Sequence, residues 1–169
     1  LTEKIQDKGV YPLGHKPKCW IYTDKRTTHG YINVSDAIKH SCNYFFYEVG
    51  NRIGIDQIEK YAKYFGLGEK TGIELPGETK GSRAGLAEAE KRNQPWQVAD
   101  TLIAAIGQSY NDFSPIQIAK YISMLTNGGK QISPTIIKNI VSADGTDVTR
   151  TDIKNLVNEK LGIQETVED

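Results

Sequence analysis

Along the first 33 residues the apolar and polar positions follow neither a helical nor a strand period. Gly9, Pro12, Gly14, Pro17 and Gly30 punctuate this stretch, with Tyr and Trp between them, and it reads as irregular. From residue 34 the pattern turns helical. Asn33 stands where the N-cap of a short helix ending near His40 is expected. After Ser41-Cys42-Asn43, the residues Phe45, Phe46, Val49 and Ile53 recur at helical spacing, and Gly50 and Gly54 mark the end. Asp56 with Glu59 has the form of a capping box, opening a helix through Ile58, Ala62 and Phe65 that stops at Gly66. Thr71 to Leu75 reads as a short strand, residues 78–95 as a surface connection, and Trp96 to Ile106 as a buried helix. Ser114-Pro115-Ile116-Gln117 is the best local signal. Ser caps, Pro takes the first turn where its missing N–H costs nothing, and Gln can close the box. Ile118, Ile122 and Leu125 supply that helix's apolar stripe, and Asn127-Gly128-Gly129 ends it. Ile136 to Val141, a turn at Asp144-Gly145 and Thr146 to Thr149 make a hairpin candidate. The charged tail from Thr151 carries one helix near Asp152 to Leu161.

Helices dominate, with a few short strands, so the class is α+β and predominantly helical. Composition bounds what such a chain can be. The 169 residues suit one domain or a piece of one, and Leu, Ile, Val and Phe make up roughly a quarter of them, above the roughly 20% below which chains stay unfolded. Twenty-one basic and 21 acidic side chains give zero net charge, which excludes a generic basic nucleic-acid platform and an acidic tail protein. The longest apolar run, Leu102 to Ile106, is far short of the about 20 residues that a membrane span needs. A chain opening on Leu1 rather than Met is expected to be cut from a longer one. Two cysteines, Cys19 and Cys42, are too few for a disulfide-stapled mini-domain; composition leaves a single bridge, two inert thiols or a metal site open.

Ser41 and Asn43 flank Cys42 between two expected helices. A hydroxyl and a carboxamide two residues apart at a helix start can face one cleft, the first as a proton relay, the second gripping a peptide amide. Alone, S-x-N carries almost no information, and on spacing alone Ser41 reads as a helix cap before it reads as a relay. Its surroundings add more. Gly30-Tyr31-Ile32-Asn33-Val34-Ser35-Asp36-Ala37-Ile38 leads into it, and Tyr44-Phe45-Phe46-Tyr47 follows. Phe65-Gly66-Leu67-Gly68, Thr71 to Glu78, Trp96 ahead of Asp100-Thr101, Ile106-Gly107-Gln108 and Ser114-Pro115-Ile116-Gln117 complete the order. This succession, over roughly residues 1–141, resembles the transpeptidase domain of class B penicillin-binding proteins, especially the elongation-type subgroup. Ser109, Ser114 and Ala99 depart from the residues usual there.

The resemblance implies the helical lobe of a transpeptidase domain of the penicillin-binding-protein and β-lactamase fold, read as one partial domain. Residues 1–33 would be irregular and pinned by a metal, 34–129 the helical lobe, 130–150 a hairpin and 151–169 a charged tail. It implies an active-site Ser enzyme with three motifs, S-x-x-K, S-x-N and K-T-G. The nucleophilic Ser attacks the D-Ala-D-Ala carbonyl of a peptidoglycan stem peptide, and an amine from a neighbouring peptide resolves the acyl-enzyme; β-lactams trap it. Ser41 is then the relay hydroxyl and Asn43 holds the substrate amide. The chain holds no S-x-x-K. Lys70-Thr71-Gly72 has the third motif's letters, but it sits in a stretch that precedes the family's catalytic strand, so Lys70 is expected to be a solvated charge. Residues 1–169 alone are therefore expected to be inactive. The implied partners are stem peptides, β-lactams and an elongation machinery that includes a glycosyltransferase, at the outer face of a bacterial membrane, with the anchor outside these residues. A non-catalytic β-lactam sensor or interaction module of the same fold is the competing reading.

Asp7, Cys19, His29 and Cys42 form a second constellation whose spacing matches no zinc finger. The resemblance implies a structural zinc held by this loop and by the middle residue of S-x-N, here Cys42, which would fix Ser41 and Asn43 on either side. A Cys19–Cys42 disulfide and two free thiols remain alternatives. Asp24 is a rival carboxylate, and His15 and His40 read as ordinary surface or core histidines.

Overall fold

The computed structural model describes residues 2–146. Two strands, β1 (Ile5–Asp7) and β2 (Gly30–Ile32), pair antiparallel with Ile5 opposite Ile32 and Asp7 opposite Gly30. Between them lies α1 (Trp20–Lys25). The first 33 residues are therefore less irregular than their pattern implies, because these elements are too short for either period to register. Helix α2 (Val34–Lys39) follows, capped by Asn33, whose Oδ1 accepts the Asp36 amide at 2.9 Å. Helix α3 (Asn43–Tyr64) is broken at Gly54, where φ is 76° and ψ 165°, so it is two helices in line, as the glycine suggests. The break precedes the expected capping box, and the carboxylate of Glu59 lies against Gly85 instead.

Several expectations fail further on. Thr71 to Leu75 is a loop rather than a strand, because Glu78 satisfies its amides: Thr71 N and Oγ1 both donate to Glu78 Oε1 at 2.6 Å, and Gly72 N donates to Oε2 at 3.1 Å. Residues 78–95 are not all connection, since α4 (Leu86–Lys91) lies within them. Its six residues are almost all strong helix formers, and Glu88 pairs with Lys91 and Arg92 one turn on. Helix α5 (Val98–Ala104) matches the expected buried segment, with Leu102 fully buried.

Helix α6 (Pro115–Thr126) begins as expected, Ser114 Oγ accepting the Gln117 amide. The box is not closed. Gln117 turns inward, fully buried, to accept from Gly68 N at 3.2 Å and donate to Glu69 O at 2.7 Å and Lys80 O at 3.0 Å. The inward face is thus Gln117 and Met124, with Tyr121 set edge-on to Phe65. The predicted stripe, Ile118, Ile122 and Leu125, is 41–49% exposed, and among the described residues nothing covers it. Of the hairpin, the turn is present, with Ser142 N donating to Thr146 O at 2.9 Å, but 136–140 form no strand. The second arm beyond Thr146 and the tail helix lie outside the described residues.

The main core joins α2, α3, α5 and the β1–β2 pair around Tyr11, Ile32, Ala37, Tyr44, Phe45, Tyr47 and Leu102. Tyr44, Phe45 and Tyr47 are core and Phe46 is partly buried against them, and Gly50 lets α3 approach α5 where a Cβ would strike Ala105.

Candidate functional site

Residues 41–43 form the joint between α2 and α3. Ser41 N donates to Ile38 O at 3.2 Å and Cys42 N to Ala37 O at 2.9 Å, the two bonds of a Schellman turn. The residue at the turn's left-handed position is Ser41, with φ 51°, where glycine is usual. Cys42 is at once the residue after that turn and the N-cap of α3, so its side chain points into the core, fully buried, while Ser41 is exposed. Ser41 and Asn43 line one open cleft of about 330 Å³, together with Ile38, Phe46, Ala105 and Ile106. The apolar wall is drawn from α2, α3 and the end of α5, and no motif or spacing in the sequence marks it.

Beneath this joint the structure brings together Asp7, Cys19, His29 and Cys42, with one donor atom from each lying within 4.8 Å of the others. Each arrives for a local reason. Asp7 ends β1 and His29 precedes β2, so strand pairing sets them side by side. Cys19 is carried in by a fold-back in which Val10 bridges Lys18 and Cys19 N donates to Gly9 O. Cys42 comes from the α2–α3 joint. Cys19 Sγ is 3.9 Å from Cys42 Sγ and 3.6 Å from His29 Nδ1, and Cys42 Sγ is 3.7 Å from Asp7 Oδ2. His29 Nδ1 lies 2.9 Å from the same Asp7 oxygen.

The surroundings orient these groups. Gly9 N donates to Asp7 Oδ1 at 2.7 Å, an Asx turn written in the sequence as Asp7-x-Gly9, and His29 N donates to Oδ2. The His29 ring stacks on His40 and meets Trp20, whose indole N–H donates to His40 O; among the described residues the buried His29 Nε2 has no hydrogen-bond partner. His40 and Trp20 are therefore packing for the cluster, and no sequence signal marks them. His15 and Asp24 are exposed, and neither belongs to the cluster.

Burial pushes the Asp7 carboxyl up, but the amides of His29 and Gly9 and the His29 ring together outweigh it and hold it below its ordinary value. The hydrogen bond between the two thiols is the main influence on both: it lowers Cys19 to about 6 and, with burial, raises Cys42 far above the thiol range.

Lys70 is exposed, and Thr71 and Gly72 are held by Glu78, so this triplet is fastened as a surface loop. None of its residues lines the cleft beside Ser41 and Asn43.

The whole chain, residues 1–169, matches the model of the penicillin binding protein transpeptidase domain. The chain belongs to that family. Peptidoglycan D,D-transpeptidase MrdA of Haemophilus influenzae is 38% identical to this penicillin-binding-protein segment over 141 residues, 82% of this chain and 21% of that protein. Pseudomonas aeruginosa PBP2, solved in complex with WCK 5153, superposes with a TM-score of 0.75 at 31% identity, covering 89% of this chain and 36% of that one. Helicobacter pylori PBP2, solved in complex with MreC, gives 0.73 at 31% identity, covering 95% and 29%. These relatives put the penicillin-binding-protein chain in the elongation-type class B group, and its mostly helical fold with few short strands is that group's helical lobe. The chain spans about a fifth of the length of the curated relatives it matches.

Proposed function

We propose that these residues are the central part of a peptidoglycan D,D-transpeptidase that cross-links stem peptides through an acyl-serine intermediate and is acylated by β-lactams. The observation that carries this reading is the shared cleft of Ser41 and Asn43 in a chain of this family. In it, Ser41 Oγ passes a proton between the lysine of an S-x-x-K motif and the leaving or attacking nitrogen, and Asn43 hydrogen-bonds the peptide amide next to the scissile carbonyl. The exposed Ser41 hydroxyl can reach a ligand, while the backbone turn that holds it is fully bonded. The nucleophile and the K-T-G strand come from outside residues 1–169. The substrates are D-Ala-D-Ala stem peptides, and the work is done on the outer side of the cell membrane, alongside a glycosyltransferase of the elongation machinery that sets cell shape.

Asp7, Cys19, His29 and Cys42 are the ligands of a structural zinc in this reading. Zn–S bonds of about 2.3 Å and Zn–N or Zn–O bonds of about 2.0–2.1 Å put tetrahedral ligands about 3.8 Å apart for S···S and about 3.5 Å for S···N or S···O. The 3.9, 3.6 and 3.7 Å separations fit that geometry, the 2.9 Å between His29 Nδ1 and Asp7 Oδ2 is a hydrogen bond that coordination would open to about 3.3 Å, and the two sulfurs are too far apart to be bonded to each other. Four buried donors of this kind make a closed site, which supports structure rather than catalysis. Held by these four residues, a divalent ion would supply the positive charge that lets both Cys19 and Cys42 bind as thiolates. The chain's own part is to hold Cys42 from below, so that the turn carrying Ser41 and Asn43 is fixed on both sides.

The test is labelled-penicillin acylation of the full-length protein. Ser41→Ala and Asn43→Ala should each slow acylation by about 100-fold or more while the fold is retained, in line with a lost general acid–base group or substrate contact. Wild-type rates in both variants would remove the assignment. Metal analysis of protein purified without added zinc should find one equivalent.

A further inference from the structure

We propose that Cys19 and Cys42 are a redox couple: released from metal, the two thiols close to an intrachain disulfide beneath the cleft. This rests on the zinc reading only for what blocks the closure. The sulfurs are 3.9 Å apart and need to approach by about 1.9 Å to reach bonding distance. Each belongs to an N-cap residue in extended backbone, Cys19 at φ −65° and ψ 143° and Cys42 at φ −74° and ψ 104°, and neither side chain makes a cap hydrogen bond that would resist its turning. Both are fully buried and are the chain's two cysteines, so each has the other as its partner. The backbone amides of Ile21 and Tyr44 face Cys19 and that of Phe45 faces Cys42, while the side chains of Asp7 and His29 beside the sulfurs are hydrogen-bonded to each other and stay paired when the thiols leave.

A low-molecular-weight disulfide supplies the oxidising equivalents. One cysteine sulfur attacks its S–S bond, releasing one thiol and leaving a mixed disulfide. The second cysteine sulfur attacks that bond, forming the Cys19–Cys42 bond and releasing the second thiol. Two electrons pass to the reagent, and the two cysteine protons end on the two thiols released. Because Cys42 is flanked by Ser41 and Asn43, the staple ties the turn that carries both to the loop at Cys19. The pair would thus hold the joint through a metal in one state and through a covalent bond in the other.

The experiment treats the full-length protein with cystamine, before and after chelation, and follows intact mass and a non-reducing peptide map. After chelation the map should link the peptides containing Cys19 and Cys42, with a loss of two hydrogens reversed by dithiothreitol. In the metal-loaded protein the same link should form at least tenfold more slowly. No 19–42 link in chelated protein with a native near-ultraviolet spectrum would overturn the proposal. Where chelation unfolds the protein, the readout is metal released from the folded, loaded protein: one equivalent per link supports the couple, and release without a link overturns it. Protein that is purified metal-free and still forms the link overturns the zinc reading and leaves the couple standing.

Discussion

Ser41 occupies a left-handed turn position that glycine would fill at less cost, and this makes stability and chemistry separable at one residue. In Ser41→Gly the turn keeps both its bonds, Ser41 N to Ile38 O and Cys42 N to Ala37 O, because they are made by backbone. A non-glycine residue at φ 51° costs about 1–2 kcal/mol, and the looser unfolded chain of the glycine variant takes back about 0.4–1 kcal/mol. The net gain is about 0.5–1 kcal/mol. Ser41→Ala keeps the strained backbone and should stay within about 0.5 kcal/mol of the natural protein. Thermal unfolding gives the stabilities, and penicillin acylation of the same full-length samples gives the chemistry. Ser41→Gly should therefore melt higher and acylate far more slowly. A glycine variant that lost more than about 1 kcal/mol would show that the serine side chain holds the turn. Strain of this kind, kept at a position where glycine is better, is what a functional side chain leaves in a fold.

Gln117→Leu fills the same space and leaves Gly68 N, Glu69 O and Lys80 O without their partner, the first of them buried. Urea unfolding should show a loss of about 2–4 kcal/mol, while a loss under 1 kcal/mol would mean the loop at 67–80 is not fastened by this amide. Lys70→Ala removes an exposed ammonium from a loop that Glu78 and Gln117 fasten, so acylation should be unchanged within about twofold; a loss of tenfold or more would return Lys70-Thr71-Gly72 to the reaction.

Local signals were the legible part of this chain. Asn33 and Ser114 declare their caps because a side chain bonds an amide three residues away, and Gly54 declares its break because no other residue takes that backbone conformation so readily. Helix α4 was also legible, in Leu86 to Lys91, but six residues are too few for an apolar period, and the polar context around them outweighed propensity. What a side chain does at long range was not legible. Gln117 has the spacing to close a box at Ser114 and instead satisfies carbonyls 37 and 48 residues away, which depends on where the 67–80 loop lies. Ile118, Ile122 and Leu125 make a regular stripe, yet the inward face is offset from it. Asp7, Cys19, His29 and Cys42 share no spacing rule, since strand pairing, a fold-back and a helix joint each deliver one or two of them; the family resemblance singled them out where spacing alone did not.

If Ser41 and Asn43 act together on a peptide-like ligand in one cleft, a crystal structure of the full-length protein acylated by a penicillin will show both at the adduct. The Asn43 carboxamide should lie about 3 Å from the ligand's side-chain amide, and Ser41 Oγ about 3 Å from the lysine of the S-x-x-K motif. A covalent adduct with both residues turned away from it, several ångströms beyond hydrogen-bond reach, would rule out their joint action.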